Sequence, residues 1–172
     1  MRKVYFLLFF IGVFTSGVCQ KKSQEDRSNE IRLNLLNALV GSVDLQYERL
    51  LNHNSGLGLN FGIGYGYETP YNSIAKVNPV YRVYFDKRKA AGFFIEGNSR
   101  ISYDKYEYYR YGNSTIRKEV NVGLGVGMGG KFVSSHGVVG TFMGGIGRFV
   151  TQRSGGQMKI YPLMEISLGK RF

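Results

Sequence analysis

The sequence predicts an all-β chain, closed as an eight-stranded antiparallel up-and-down barrel whose strands cross a membrane. Three observations lead there. Residues 118–132, KEVNVGLGVGMGGKF, alternate strictly: Val120, Val122, Leu124, Val126 and Met128 fall on one face and Asn121, Gly123, Gly125, Gly127 and Gly129 on the other. That period of two belongs to a strand, because a helix needs spacings of three and four. Second, the 172 residues are rich in glycine (24), tyrosine (13) and phenylalanine (12) and hold only 3 prolines, with no long helical pattern. Such a composition suits strands joined by tight turns. Third, the alternating pattern recurs along the chain between turn clusters, with one face apolar and the other small or polar. A strand with lipid outside and a narrow lumen inside reads this way.

The chain length allows one domain. Residues 1–20, MRKVYFLLFFIGVFTSGVCQ, have the layout of a cleavable signal peptide: Arg2 and Lys3, then an apolar run from Val4 to Phe14, then small residues. The run is too short for a comfortable spanning helix. Cleavage is expected near Cys19 or Gln20. Acylation of Cys19 is the alternative, but Val18 and Ser16 stand where a lipoprotein signal usually carries a small residue and a leucine. If Cys19 is removed, no thiol remains and disulfide chemistry is excluded. Residues 21–29 read as a polar leader, and 30–172 as the barrel.

The elements follow in order. In 30–36, EIRLNLL, Ile31, Leu33 and Leu35 oppose Arg32 and Asn34, and a short turn occupies 37–42. In 43–50, Val43, Leu45 and Tyr47 oppose Asp44, Gln46 and Glu48, and a turn cluster follows at 52–55. In 57–67, Leu57, Leu59, Phe61, Ile63, Tyr65 and Tyr67 oppose Gly58, Asn60, Gly62, Gly64 and Gly66; a looser segment spans 68–73. In 76–85, Val77, Pro79, Tyr81, Val83 and Phe85 oppose Asn78, Val80, Arg82 and Tyr84, although proline removes a ladder donor. A charged turn occupies 86–89. In 91–103, Phe93, Ile95 and Ile101 oppose Phe94, Glu96, Asn98 and Arg100. Residues 104–117 read as the longest loop, and 134–137 as a tight turn after the strand at 118–132. The strand at 138–150 has ambiguous facing, because Phe142 and Met143 compete. After a loop at 151–157, Ile160, Pro162, Met164, Ile166, Leu168 and Phe172 share a face of the last strand. An even strand number puts both termini on the tight-turn side and loop 104–117 on the other.

The stretches RLNLLNALVGSVDLQYERLL and GLGLNFGIGYGYE, with the ending EISLGKRF, resemble the small outer-membrane β-barrel proteins of Gram-negative bacteria, the OmpA/OmpX-like group, and within it an uncharacterised branch of barrels of unknown function. The resemblance spans roughly residues 30–172. It implies an outer-membrane location, contact with outer-membrane lipid and lipopolysaccharide, and a terminal aromatic, Phe172, as the signal read by the barrel-insertion machinery. It supplies no catalytic residues.

An eight-stranded barrel is filled by side chains, and buried charges must be paired. Arg32, Asp44, Glu48, Arg82, Glu96, Arg100 and Glu165 are therefore expected to form a lumen network that plugs the interior; a conducting pore is the competing reading. Tyr47, Tyr65, Tyr67, Tyr81, Phe85, Phe93, Tyr103 and Phe172 lie near strand ends, where aromatic girdles form. Lys105, Tyr106, Tyr108, Tyr109, Arg110 and Tyr111 are the candidates for an outward contact surface meeting an extracellular partner.

Other chemistries fit poorly. Gly125–Gly130 matches GxGxxG and nearly a phosphate loop, but Phe132 follows Lys131 where Ser or Thr is needed, and no helix begins there. No cofactor is expected. His53 and His136 sit in tight turns, on the rim opposite to where a lipid-modifying enzyme would need them, which disfavours a hydrolase. Without Arg2 and Lys3 the formal charge falls from +11 to +9, but the positives are scattered and no nucleic-acid role is expected. The expected function is non-enzymatic: a structural or surface-interaction protein. The alternatives are a small-solute or lipid conduit and a secreted soluble ligand-binding barrel.

Overall fold

The computed structural model describes residues 27–65, 73–110, 113–151 and 160–172, with side chains undescribed at 106–110 and 113–117. The signal segment, most of the leader, Gly66 and Tyr67, nearly all of the 68–73 and 151–157 connections, and Tyr111 lie outside these residues.

Eight strands pair in sequence order, and β8 closes on β1 to complete the barrel. They are β1 (Asn29–Asn34), β2 (Ser42–Leu50), β3 (Ser55–Gly64), β4 (Ser73–Tyr84), β5 (Gly92–Arg110), β6 (Asn113–Val133), β7 (Val138–Phe149) and β8 (Ile160–Arg171). Every neighbouring pair is antiparallel, including β1 with β8, where Leu33 pairs Leu168. Closure leaves no open edge around the wall, which is how backbone N–H groups are satisfied where water is excluded.

The polarity is inverted relative to a soluble domain. Leu124, Val126 and Met128 are 60–62 % exposed on the outer face, while Arg82 is wholly buried and Arg100 is 6 % exposed within the lumen. On β7 the competition between Phe142 and Met143 is settled by parity: Phe142 points out, and Met143 packs inward against the small apolar cluster of Leu50, Tyr84, Ala90 and Phe94. Pro79 sits on the outer face, paired across from Leu59, within a continuous ladder. Inward glycines make room for large neighbours. A Cβ on Gly123 would come within 2.9 Å of the Tyr161 ring, and one on Gly58 within 2.7 Å of Val80.

Two local expectations are corrected. Leu35 does not extend β1. Asn34 caps a short helix, α1 (Leu35–Leu39), its side-chain oxygen accepting from the Asn37 N–H at 3.2 Å. Asparagine is a strong helix N-cap, so the chain turns helical where apolar spacing alone suggests continued strand. The larger correction concerns 104–117. Residues 104–110 and 113–117 are strand, not loop: β5 and β6 continue pairing from Asp104↔Glu119 to Arg110↔Asn113. Among the described residues, β4 reaches only Ser73↔Asp104 and β7 only Phe149↔Gly123. The six pairs from Lys105↔Lys118 outward thus form a two-stranded ribbon beyond the rim, roughly 17–20 Å long at strand rise.

The opposite end of the barrel is closed. The β4–β5 turn folds over the mouth, and Ala90 and Ala91 are buried there. Ala90 adopts φ 42°, which is unusual for a non-glycine residue. Three contacts hold it: its N–H donates to His53 O at 2.7 Å, and Arg171 donates to the carbonyls of Lys89 and Ala90, each at 2.9 Å. On the same turn, hydrogen bonds from Arg88 hold the Asp86 carboxyl below the usual carboxylate range.

Candidate functional site: a charge-filled lumen

Period-two alternation on eight strands sends every second side chain inward, and the closed barrel gathers them. All seven residues proposed for the lumen lie inside it: Arg32, Asp44, Glu48, Arg82, Glu96, Arg100 and Glu165 are each at most 6 % exposed. They fall into two tiers.

The tier nearer the chain termini centres on Arg82. Its Nε donates to Glu96 at 2.7 Å, Nη2 to Glu165 at 2.8 Å and Nη1 to Glu48 at 3.3 Å. Its guanidinium lies 4.7 Å from the centre of the Phe94 ring. Glu48 also meets Arg32 at 2.8 Å and accepts from the Tyr84 hydroxyl. Sequence reasoning misses five charged groups, and three are here. Glu30 accepts from Arg32, from Arg171 Nε at 2.8 Å and from Lys131 Nζ at 2.9 Å; Lys131 reaches Glu48 as well, at 3.0 Å. Four carboxylates (Glu30, Glu48, Glu96, Glu165) thus face four cations (Arg32, Arg82, Lys131, Arg171), and the tier is neutral. A desolvated cluster needs that balance, since a charge left over would carry its full burial penalty.

The second tier lies toward α1 and the ribbon. Asp44 pairs Lys76 at 2.6 Å and accepts from Ser42 and from Asn37. Asp104, read from sequence as the start of a loop, is instead wholly buried. It accepts from Ser73 and Asn121, each at 2.6 Å, and from Ser102 at 2.9 Å. Arg100 donates to Ser73 at 3.0 Å, with its guanidinium 5.1 Å from the Tyr161 ring centre.

A signal for the missed groups exists. Glu30, Lys76, Asp104, Lys131 and Arg171 all sit at inward parity with the flanking apolar residues. Each, however, lies at or near an end of its predicted strand, where boundaries are least certain.

Of the outward contact candidates, Lys105 is exposed on β5 at the base of the ribbon. Tyr106, Tyr108, Tyr109 and Arg110 have backbone places in β5, paired with Arg117, Thr115, Ser114 and Asn113 respectively. Phe172 is 55 % exposed, and its backbone pairs with Asn29 in both directions, at 2.8 and 3.2 Å. His53 and His136 lie in the turns at the closed end, and their rings meet the side chains of adjacent Asn54 and Ser135. Among the described residues no group of three or more His, Cys, Asp or Glu side chains could hold a metal ion.

Fold and site together define a class: an eight-stranded closed antiparallel barrel with an apolar outer wall and an ion-paired, side-chain-filled interior. Among solved structures, the chain is similar to the N-terminal β-barrel domain of Pseudomonas aeruginosa OprF. The two share 10 % identity and a TM-score of 0.52, over 85 % of this chain and 98 % of that one. At that identity the likeness is one of fold. No protein-family model and no curated protein matches the sequence.

Proposed function

We propose that the chain is a non-enzymatic integral outer-membrane barrel, exported by the signal peptide at 1–20, with a structural or surface-interaction role. The observation that carries this reading is the inverted polarity. Large apolar side chains of β2 to β8 are exposed on the outer face while the lumen holds paired charges. Water would be a poor solvent for that outer wall, whose apolar surface far exceeds what soluble monomers expose in one patch. Lipid suits it. Phe85, Phe93, Phe132 and Phe142 are exposed toward the closed end, as a girdle at a membrane boundary would be.

In this reading outer-membrane lipid and lipopolysaccharide surround the wall, and the barrel-insertion machinery reads Phe172. The closed end faces the periplasm and the ribbon within 104–117 faces outward. Its residues Lys105, Tyr106, Tyr108, Tyr109, Arg110 and Tyr111 are offered to an extracellular partner. The conduit alternative is opposed by the Arg82-centred cluster across the lumen and by the turn over the inner mouth. A soluble ligand-binding barrel would need the opposite facing.

The test is extraction and electrophoresis of the membrane-borne protein. It should resist carbonate, and migrate differently before and after boiling, because the closed barrel survives detergent until heated. The same preparation in planar bilayers should give no steady single-channel current. Release by carbonate would contradict the membrane assignment, and reproducible unitary currents would contradict the plug.

A further inference from the structure

The ionic plug does not fill the lumen. Above it, toward α1, remains a cavity of about 260 Å³. Its floor is formed by Glu96 and Glu165, already bound to Arg82. Beyond that floor the barrel is closed by the plug and the β4–β5 turn, and at the other end of this vestibule Leu36 and Asn37 of α1 line the cavity.

Six carboxamides line it (Asn34, Asn37, Gln46, Asn60, Asn78 and Asn98), the last three side by side on β3, β4 and β5. Asn60 and Asn78 face each other across β3 and β4 in register, and Asn98 follows on β5. The Oδ1 atoms of all three are buried without a hydrogen-bond partner among the described residues, and Asn98 is itself nine-tenths buried. Buried polar atoms left unsatisfied cost a fold stability, and these three belong to residues that line one cavity, which calls for a partner there. Of the charged lining groups, Asp44 is paired with Lys76, and Glu96 and Glu165 with Arg82. Arg100 also lines the cavity; it donates to the Ser73 hydroxyl, which in turn donates to Asp104. With Arg100 and Asp104 counted, the two tiers hold six carboxylates and six cations, so no net charge selects an ionic ligand. Val80, Met143 and Leu163 supply an apolar wall beside the amides.

We infer that this vestibule binds a small, neutral, hydroxyl-rich ligand of monosaccharide size from the outer side. A carboxamide presents either an acceptor or donors, and a hydroxyl is both donor and acceptor, so the match holds whichever way each amide is turned. The apolar wall suits the C–H face of a sugar ring. The inference rests on the outward orientation proposed above. For a ligand of about 12 heavy atoms the affinity is expected to be on the order of millimolar.

The experiment is a titration of the full-length, detergent-folded protein with glucose, followed by the side-chain amide NMR signals of Asn60, Asn78 and Asn98. Saturable shifts are expected with glucose, and weaker ones with glucuronate or glucosamine. Asn98→Leu should weaken binding about tenfold. Asn60→Ala, a smaller change, should act in the same direction and serves if the first variant folds poorly. Absence of saturable shifts, as for a cavity holding only water, would overturn the inference. So would equal or tighter binding of the charged sugars, or binding unchanged in the folded variants. The heat-dependent gel shift of the same samples reports the barrel separately: binding lost with the shift retained counts against the vestibule alone, whereas a wild-type protein lacking the shift counts against the membrane-barrel reading.

Discussion

Replacing Arg82 with methionine is expected to destabilise the folded barrel by about 3–5 kcal/mol, the usual consequence of removing one partner from a buried ion pair. Arg82 is wholly buried and touches three carboxylates, on β2, β5 and β8. Methionine fills much of the same space, so the loss is electrostatic rather than steric. It leaves Glu96 and Glu165 without their arginine contacts, 2.7 and 2.8 Å away in the native protein. The measurement is urea unfolding in lipid vesicles, read from the loss of the compact gel species. The electrostatic origin makes a second demand. Adding Glu96→Gln to Arg82→Met should recover a large part of the loss, because three carboxylates then face three cations and the tier is neutral again. A destabilisation that stays whole in the double variant would show that Arg82 acts through packing.

Placing a charge on the outer wall is the second large effect. Val126 is 62 % exposed at the middle of β6, paired with Gly97 and Ile146. Val126→Arg should destabilise the vesicle-inserted barrel by about 2–4 kcal/mol, the range for arginine at the bilayer midplane. The same substitution at an exposed site of a soluble domain typically falls within about 0.5 kcal/mol. The outcome therefore separates lipid from water as the solvent of this face. A graded series sharpens it. Arginine in place of Phe132, close to the closed end, should have a smaller effect than in place of Val126, since the penalty falls toward the interface. Equal, small effects at both sites would contradict burial in hydrocarbon.

How much of this is legible in the sequence depends on what each feature needs. The facing of β2 to β6 and β8 can be read because each strand carries its own record, as in Val43-Asp44-Leu45-Gln46-Tyr47-Glu48. Facing in turn nominates the lumen charges. Their pairing cannot be read: Glu30 and Lys131 meet across 101 residues of chain, and only the register of eight strands around a closed barrel brings them together. The β5–β6 ribbon escapes for a different reason. Beyond the rim neither face of a two-stranded ribbon has to meet lipid or core, so DKYEYYRYGNSTIRK carries no apolar alternation. Its strand signal lies in the propensities of Tyr, Thr and Ile. At α1, local capping by Asn34 overrides an apolar period that runs on through Leu35.

The most direct test of the central claim, that the apolar face meets lipid and the charged face lines the lumen, uses the absence of tryptophan from the chain. Leu124→Trp puts a single fluorescent reporter on the outer wall, and Phe94→Trp puts one in the buried interior. In vesicles of brominated lipid, emission from the outer-wall reporter should be blue-shifted and strongly quenched, while emission from the interior reporter should be quenched far less. Strong lipid quenching of the interior reporter in place of the outer one would contradict the claim. So would an outer reporter that lipid leaves unquenched and aqueous iodide reaches freely.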